Sequence, residues 1–233
     1  MNTALPLQLI SSMATKLLLA DLVARYQAAT GTPVQVISIG GVDAAKRVAA
    51  GEAFDAVMLA RNAIDALIAS GQVVPGSRVD VVDSGVAVAV RRGAAVPDIG
   101  SEAALKAAVR AAPRLAYSTG PSGVQLARLF ERWGIAAELA PRIVTAPPGV
   151  PVGTLVACGE VDLGFQQLSE LMHLDGITLV GPLPDAVQIT TTFSAGIACT
   201  STRADAVRAL LHFFAAPEQA ALKRQHGMVP KAL

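Results

Sequence analysis

Val79-Asp80-Val81-Val82-Asp83-Ser84-Gly85-Val86-Ala87-Val88-Ala89-Val90 breaks the rhythm of the chain that leads to it. The stretch is long, β-branched and extended in character, with one interruption at Ser84-Gly85. Everything before it alternates strand and helix. Leu7–Ile10 reads as a short buried strand. A helix follows from about Ala14 to Ala29, with Leu18, Leu22 and Tyr26 on its apolar face, and Gly31 and Pro33 end it. Val34–Ile39 and Asp55–Leu59 read as strands, each followed by a helix, Ala44–Ala50 and Ile64–Ser70. Such alternation predicts a parallel sheet with helices on its faces. Val79–Val90 then leads out of a first lobe into a second. Gln188–Ala198, with Thr190-Thr191-Thr192-Phe193, is a second long β stretch and reads as the return.

The expected organisation is therefore α/β. Residues 1–82 and 195–233 form one lobe and 83–194 an inserted second lobe. Each lobe is a mostly parallel sheet flanked by helices, and a two-strand hinge lies near Val82–Ser84 and Ile189–Ser194. In the second lobe Ser101 caps a helix to about Ala111, and Leu115–Tyr117 and Arg142–Thr145 are strands. Ala146–Pro151 is a stiff Pro-rich loop. A helix runs from Val152 to Cys158, and Leu163–Gln166 and Ile177–Val180 are strands. Helices Ala204–Ala215 and Pro217–Gln225 finish the chain.

Composition excludes several classes. Of 233 residues 52% are hydrophobic, so a sizeable core is available, and 19 basic against 18 acidic residues give a net charge of +1. That balance offers no basic face for nucleic acid. No stretch has the apolar length of a membrane span. Cys158 and Cys199 lack zinc-site spacing and read as small core thiols, one in a helix and one in a strand. His173, His212 and His226 share no ligand spacing. Neither a Gly-rich loop ending in Lys-Ser/Thr nor a Gly-x-Ser-x-Gly elbow occurs. No metal and no cofactor are expected, and the chain is expected to act as a monomer. Met1–Pro6 shows no basic n-region or long apolar h-region. That fits either a cytoplasmic protein or a mature periplasmic form lacking its signal peptide.

What remains is a set of loops at strand ends. Tyr117-Ser118-Thr119-Gly120-Pro121-Ser122-Gly123-Val124 reads as strand, tight loop and helix start. Free helix N–H groups with Ser118, Thr119, Ser122 and Gly123 make a cradle of neutral donors suited to an anion. Similar junctions recur at Ser11-Ser12, where either serine is a natural N-cap, and at Gly40-Gly41, with Asp43 as N-cap. Val152-Gly153 opens another helix. Gln166-Gln167 end a strand with amides able to donate to an anion and accept from a hydroxyl. Arg61, just past a strand end, is placed to meet a carboxylate, and Asn62 can cap the helix after it. These residues are expected to converge on a small anionic ligand in a cleft between the lobes.

The chain resembles the type II periplasmic solute-binding proteins, in particular the branch around molybdate-binding proteins of ABC transporters. The markers are Ser11-Ser12 before the first helix, Ala50-Gly51-Glu52-Ala53-Phe54-Asp55-Ala56-Val57, the run Val156–Phe165 and the helix break at Ala215–Pro217. The resemblance implies capture of an anion, hinge closure and an ABC transporter permease as partner. Molybdate binders usually carry a second serine where this chain has Gly40 or Gly41, and a Tyr at about Gln167. Gly164–Glu170, Val180–Pro184 and Phe193–Gly196 are similar to a sub-branch that includes bacterial aconitate isomerases. Two functions follow. One is a binding protein for a small anion, an organic di- or tricarboxylate before a molybdate-type oxyanion, with Arg61 or Lys16 pairing a carboxylate. The alternative is an aconitate isomerase-like enzyme, with Glu170, Asp43 and Tyr117 as candidate bases.

Overall fold

The computed structural model describes residues 5–146 and 150–231. Pro147, Pro148 and Gly149, the heart of the expected stiff loop, lie outside the described residues. The chain forms two compact units: residues up to Asp83 together with those from Thr192 on, and residues Ser84–Thr191.

The first unit begins with strand β1 (Leu7–Ser12), a 3-10 turn Met13–Thr15 and helix α1 (Lys16–Thr30). Strand β2 (Val34–Ile39), α2 (Gly41–Ala49), β3 (Ala56–Ala60) and α3 (Arg61–Ala69) follow. β1 pairs in parallel with both β2 and β3. The long strand β4 (Val79–Arg91) leaves this unit. It runs without a break through Ser84-Gly85, where the sequence reading expects an interruption. Chain from β9 (Thr190–Ile197) returns, and β9 pairs antiparallel with β3 from Ala56↔Ile197 to Ala60↔Phe193. The expected mostly parallel sheet is thus a mixed one. α9 (Ala204–Ala215), a 3-10 turn Pro217–Gln219, α10 (Ala220–Gln225) and a short β10 (Met228–Pro230) complete the unit.

Period-two alternation explains why helices cover both sheet faces. Leu7, Leu9, Ala56, Met58 and Ala60 pack with Leu18 and Leu22 of α1 and Leu210 and Phe214 of α9. Ile10, Val57 and Leu59 point the other way, onto Ala44 and Val48 of α2 and Ile64 and Leu67 of α3.

The second unit contains α4 (Glu102–Ala111), β5 (Leu115–Tyr117), α5 (Pro121–Arg132), a short α6 (Ala136–Leu139) and β6 (Ile143–Thr145). It continues with α7 (Val152–Cys158), β7 (Leu163–Gln167), a one-turn α8 (Leu168–Leu171) and β8 (Ile177–Pro182). β5 pairs in parallel with β6 and β7, while β4 pairs antiparallel with β7 and β8. The Val-Ala-Val-Ala-Val run of β4 shows why its two side-chain sizes alternate. Val86, Val88 and Val90 fill a core with Phe130 and Phe165, and Ala87 and Ala89 face α7 with Val152 and Val156. Small residues are needed there because α7 lies close. A Cβ on Gly164 of β7 would stand 2.4 Å from Val156 Cγ2.

Ser101 caps α4, its Oγ accepting from Ala104 N–H at 3.1 Å. Three other cap assignments fail. Gly40 precedes α2, and Asp43 lies inside the first turn, paired with Lys46 at 3.5 Å. Ala60, not Asn62, precedes α3. Ser12 stands at the cap position of its turn without a side-chain bond. The two cysteines are free and exposed, with Cys199 in a turn, so the core-thiol reading is overturned. Among the described residues no helix is long and apolar enough to cross a membrane, and no cluster of His, Cys, Asp and Glu could hold a metal ion.

Candidate functional site

In the first unit the carboxyl ends of β1 and β2 carry a serine pair. Their parallel register sets Ser11 opposite Ser38, and the two Oγ atoms lie 2.8 Å apart. Ser12 follows with its Oγ buried and without a hydrogen-bond partner among the described residues. Its Cβ lies 3.5 Å from where a Cβ on Gly41 would stand. Gly41 opens α2, whose first N–H groups have no carbonyl four residues back. An orphaned hydroxyl beside open helix amides is a polar corner that a small polar ligand would satisfy. Arg61 is not part of it. Its guanidinium meets Asp80 at 3.2 Å, a carboxylate it shares with Arg78 at 3.6 Å. Lys16 is exposed on the first turn of α1.

In the second unit, β5 and β7 run side by side; their pairing ends at Tyr117 and Phe165, and β7 runs on to Gln167. Past these ends lie Ser118, Gln166 and Gln167. Ser118 Oγ is 3.1 Å from Ser122 Oγ in the first turn of α5. That turn presses hard on the strand end, since a Cβ on Gly123 would fall 1.5 Å from the Ser118 carbonyl oxygen. Thr119 is exposed on the loop. The Val152 side chain goes into the core. Gly40, ahead of α2, contributes backbone alone.

The two glutamines have different partners. Gln166 Oε1 accepts from Gly153 N–H at 3.0 Å, and its Nε2 donates to Glu170 Oε1 at 2.8 Å. Gln167 Nε2 donates to Thr191 Oγ1 at 3.0 Å, and its Oε1 is buried without a partner among the described residues. Burial pushes the Glu170 carboxyl up to about 7, against the lowering effect of the Gln166 hydrogen bond. A carboxyl at that value is part acid and part base near neutral pH. The other two base candidates differ. Burial, helped by Glu131, raises Tyr117 above the ordinary phenol range, which keeps its proton on. Asp43 is exposed and paired with Lys46. Sequence reasoning missed Ser38 and Thr191. The signal for Ser38 is its place one residue before the end of a strand parallel to the one bearing Ser11.

A family profile described as bacterial extracellular solute-binding protein matches residues 7–229. The chain belongs to this family. Among curated proteins it is similar to an aconitate isomerase from a Pseudomonas species, 40% identical over 211 residues, covering 88% of this chain and 80% of that protein. Among solved structures it is similar to the periplasmic molybdate-binding protein of Azotobacter vinelandii, at 19% identity and a TM-score of 0.80, covering 97% of this chain and 99% of that one. The sulfate-binding protein of Mycobacterium tuberculosis matches at 15% identity and a TM-score of 0.80, over 97% and 87% of the two chains. At these identities the two structures establish the solute-binding fold.

Proposed function

We propose that this protein binds a small organic tricarboxylate, with aconitate as the type, and moves its double bond by a proton shift. The observation that carries the reading is Glu170 in α8, a carboxyl raised to about 7 that accepts a hydrogen bond from the neutral Gln166 amide. In aconitate one methylene lies between a carboxylate and the alkene. Glu170 takes a proton from that methylene, and the electron pair spreads over three carbons and the attached carboxylates. The same carboxyl then returns the proton to the far carbon, so the double bond moves and nothing is added or lost. Hydroxyls of Ser118 and Ser122 are the donors offered to the developing negative charge. The 40% identical aconitate isomerase supports the substrate class.

A second reading is favoured by the Ser11, Ser12 and Ser38 group. Neutral donors at strand ends suit capture of an anion without chemistry. In that case the protein delivers its ligand to an ABC transporter permease, and a mature periplasmic form is the working species.

The experiment is proton NMR of cis-aconitate with the protein in deuterated buffer. Isomerisation is the expected result, with deuterium entering the product only to the extent that protonated Glu170 exchanges with solvent before it returns the proton. Glu170→Gln should lower turnover by roughly 100- to 10,000-fold, the usual worth of a general base, while aconitate still raises the melting temperature. Stabilisation by aconitate with an unchanged spectrum in the wild type would leave the receptor reading standing and remove the enzyme.

A further inference from the structure

The hydrogen bonds around Gln166 determine more than its own orientation. Gly153 N–H can only donate, so the Gln166 atom 3.0 Å from it must be the carbonyl oxygen. The amide NH2 then faces Glu170, at 2.8 Å from Oε1. An NH2 group also can only donate, so Glu170 Oε1 must act as acceptor in both protonation states. The neutral acid can carry its proton on Oε2 with this contact undisturbed. Gln166 is itself buried, with 4% of its surface exposed, so water does not substitute for either contact.

We infer that Gln166 is a positioning residue: it occupies Glu170 Oε1 and leaves Oε2 as the one oxygen that exchanges a proton with substrate. The chain of donors starts at the backbone of α7 and ends on the carboxyl, so the geometry of α7 is transmitted to the reacting atom. This rests on the reading of Glu170 as the acid–base group. Titratable groups on the elements packed around β7 and α8 are Arg91 on β4, Tyr117 on β5, Arg128, Glu131 and Arg132 on α5, and Cys158 on α7, with His173 just past α8. Burial raises Glu170 and the Gln166 hydrogen bond lowers it.

The test is a carbon-13 carboxyl titration of the full chain labelled at glutamate side chains, with the Glu170 signal assigned by its loss in Glu170→Gln. In Gln166→Met the donor to the carboxylate is gone, and the Glu170 midpoint should move upward by about half a pH unit or more. The acidic limb of the kcat/KM profile on aconitate should move with it, with kcat falling more than KM rises. Gln166→Glu keeps the volume and the Gly153 contact but sets two carboxyls against each other. It should raise the apparent midpoint further, and it serves if the Met variant does not fold. An unchanged midpoint in a folded variant would overturn the inference. The titration needs no substrate. A shifted midpoint in a protein that leaves aconitate unchanged would sink the isomerase reading while keeping the orientation of Glu170.

Discussion

Glu170 and Lys223 are both displaced by removal from water, and of the two only Glu170 has a partner among the described residues. Glu170 keeps the Gln166 amide. Lys223 on α10 is fully buried, and its Nζ has no hydrogen-bond partner among the described residues. Burial lowers its ammonium to about 8. The sign of the consequence follows. Between pH 8 and about 10.4 the unfolded chain holds this proton and the folded chain does not, so stability rises with pH in that window. Below pH 8 the folded state carries an unpaired buried charge at full cost. Lys223→Met, similar in length and apolar, is expected to stabilise the protein at pH 7 by about 1–3 kcal/mol, with the advantage fading toward pH 10. Urea midpoints at pH 7 and pH 10 check this, and a lower midpoint for the variant at pH 7 would show that Nζ has a use in the fold. Ser12 is the contrasting case. Its orphaned hydroxyl sits at a strand end beside open amides, which suits a ligand better than a packing defect.

At the scale of elements, the start of α5 is the tightest joint in the second unit. Its first turn crosses the end of β5 so closely that position 123 admits no side chain at all. Gly123→Ala would have to push the helix start off the strand, separating Ser122 from Ser118. A loss of about 3 kcal/mol or more is expected in a denaturant melt, together with a weaker thermal response to aconitate. A variant as stable as wild type would mean that the joint opens at little cost. The octapeptide Tyr117–Val124 shows its strand, loop and helix start in the sequence, because glycine, proline and an apolar period of 3.6 are local signals. The one-turn α8 and the short β10 left no such signal. Four and three residues are too few to show a period, and packing holds them.

At the scale of the molecule, a residue late in the chain secures its beginning. Arg203, just ahead of α9, donates to the carbonyls of Leu5 and Pro6 and to Asp55 Oδ2 at 2.5 Å. Asp55 also accepts from Ser201 Oγ and Gln8 N–H. Burial pushes this carboxyl up, but the bonds from Arg203, Gln8 and Ser201 together outweigh it and hold the group below its ordinary value. A depressed carboxyl stabilises the fold above its unfolded value and loses that contribution as pH falls through the folded one. Arg203→Met should therefore destabilise at pH 7 by about 1–3 kcal/mol and move acid unfolding to higher pH, read by circular dichroism. Coincident acid transitions for variant and wild type would show that the clamp contributes nothing.

The α/β class, the strand–helix order and the long β stretches at Val79 and Thr190 were determined by the sequence alone, because periodicity and turn chemistry are written over a few adjacent residues. So was the family, whose motifs Ala50–Val57 and Val156–Phe165 are contiguous. Tertiary structure decided which polar groups are free and which are committed. Arg61 looks available in the sequence and is taken by Asp80, while Ser38 looks ordinary and faces Ser11 across 27 positions of chain. Glu170 reads as an ordinary helix-start acid until the fold half-buries it against Gln166. Hydrogen-bond partnership and desolvation depend on what packs against a group from far along the chain, and no local pattern encodes that.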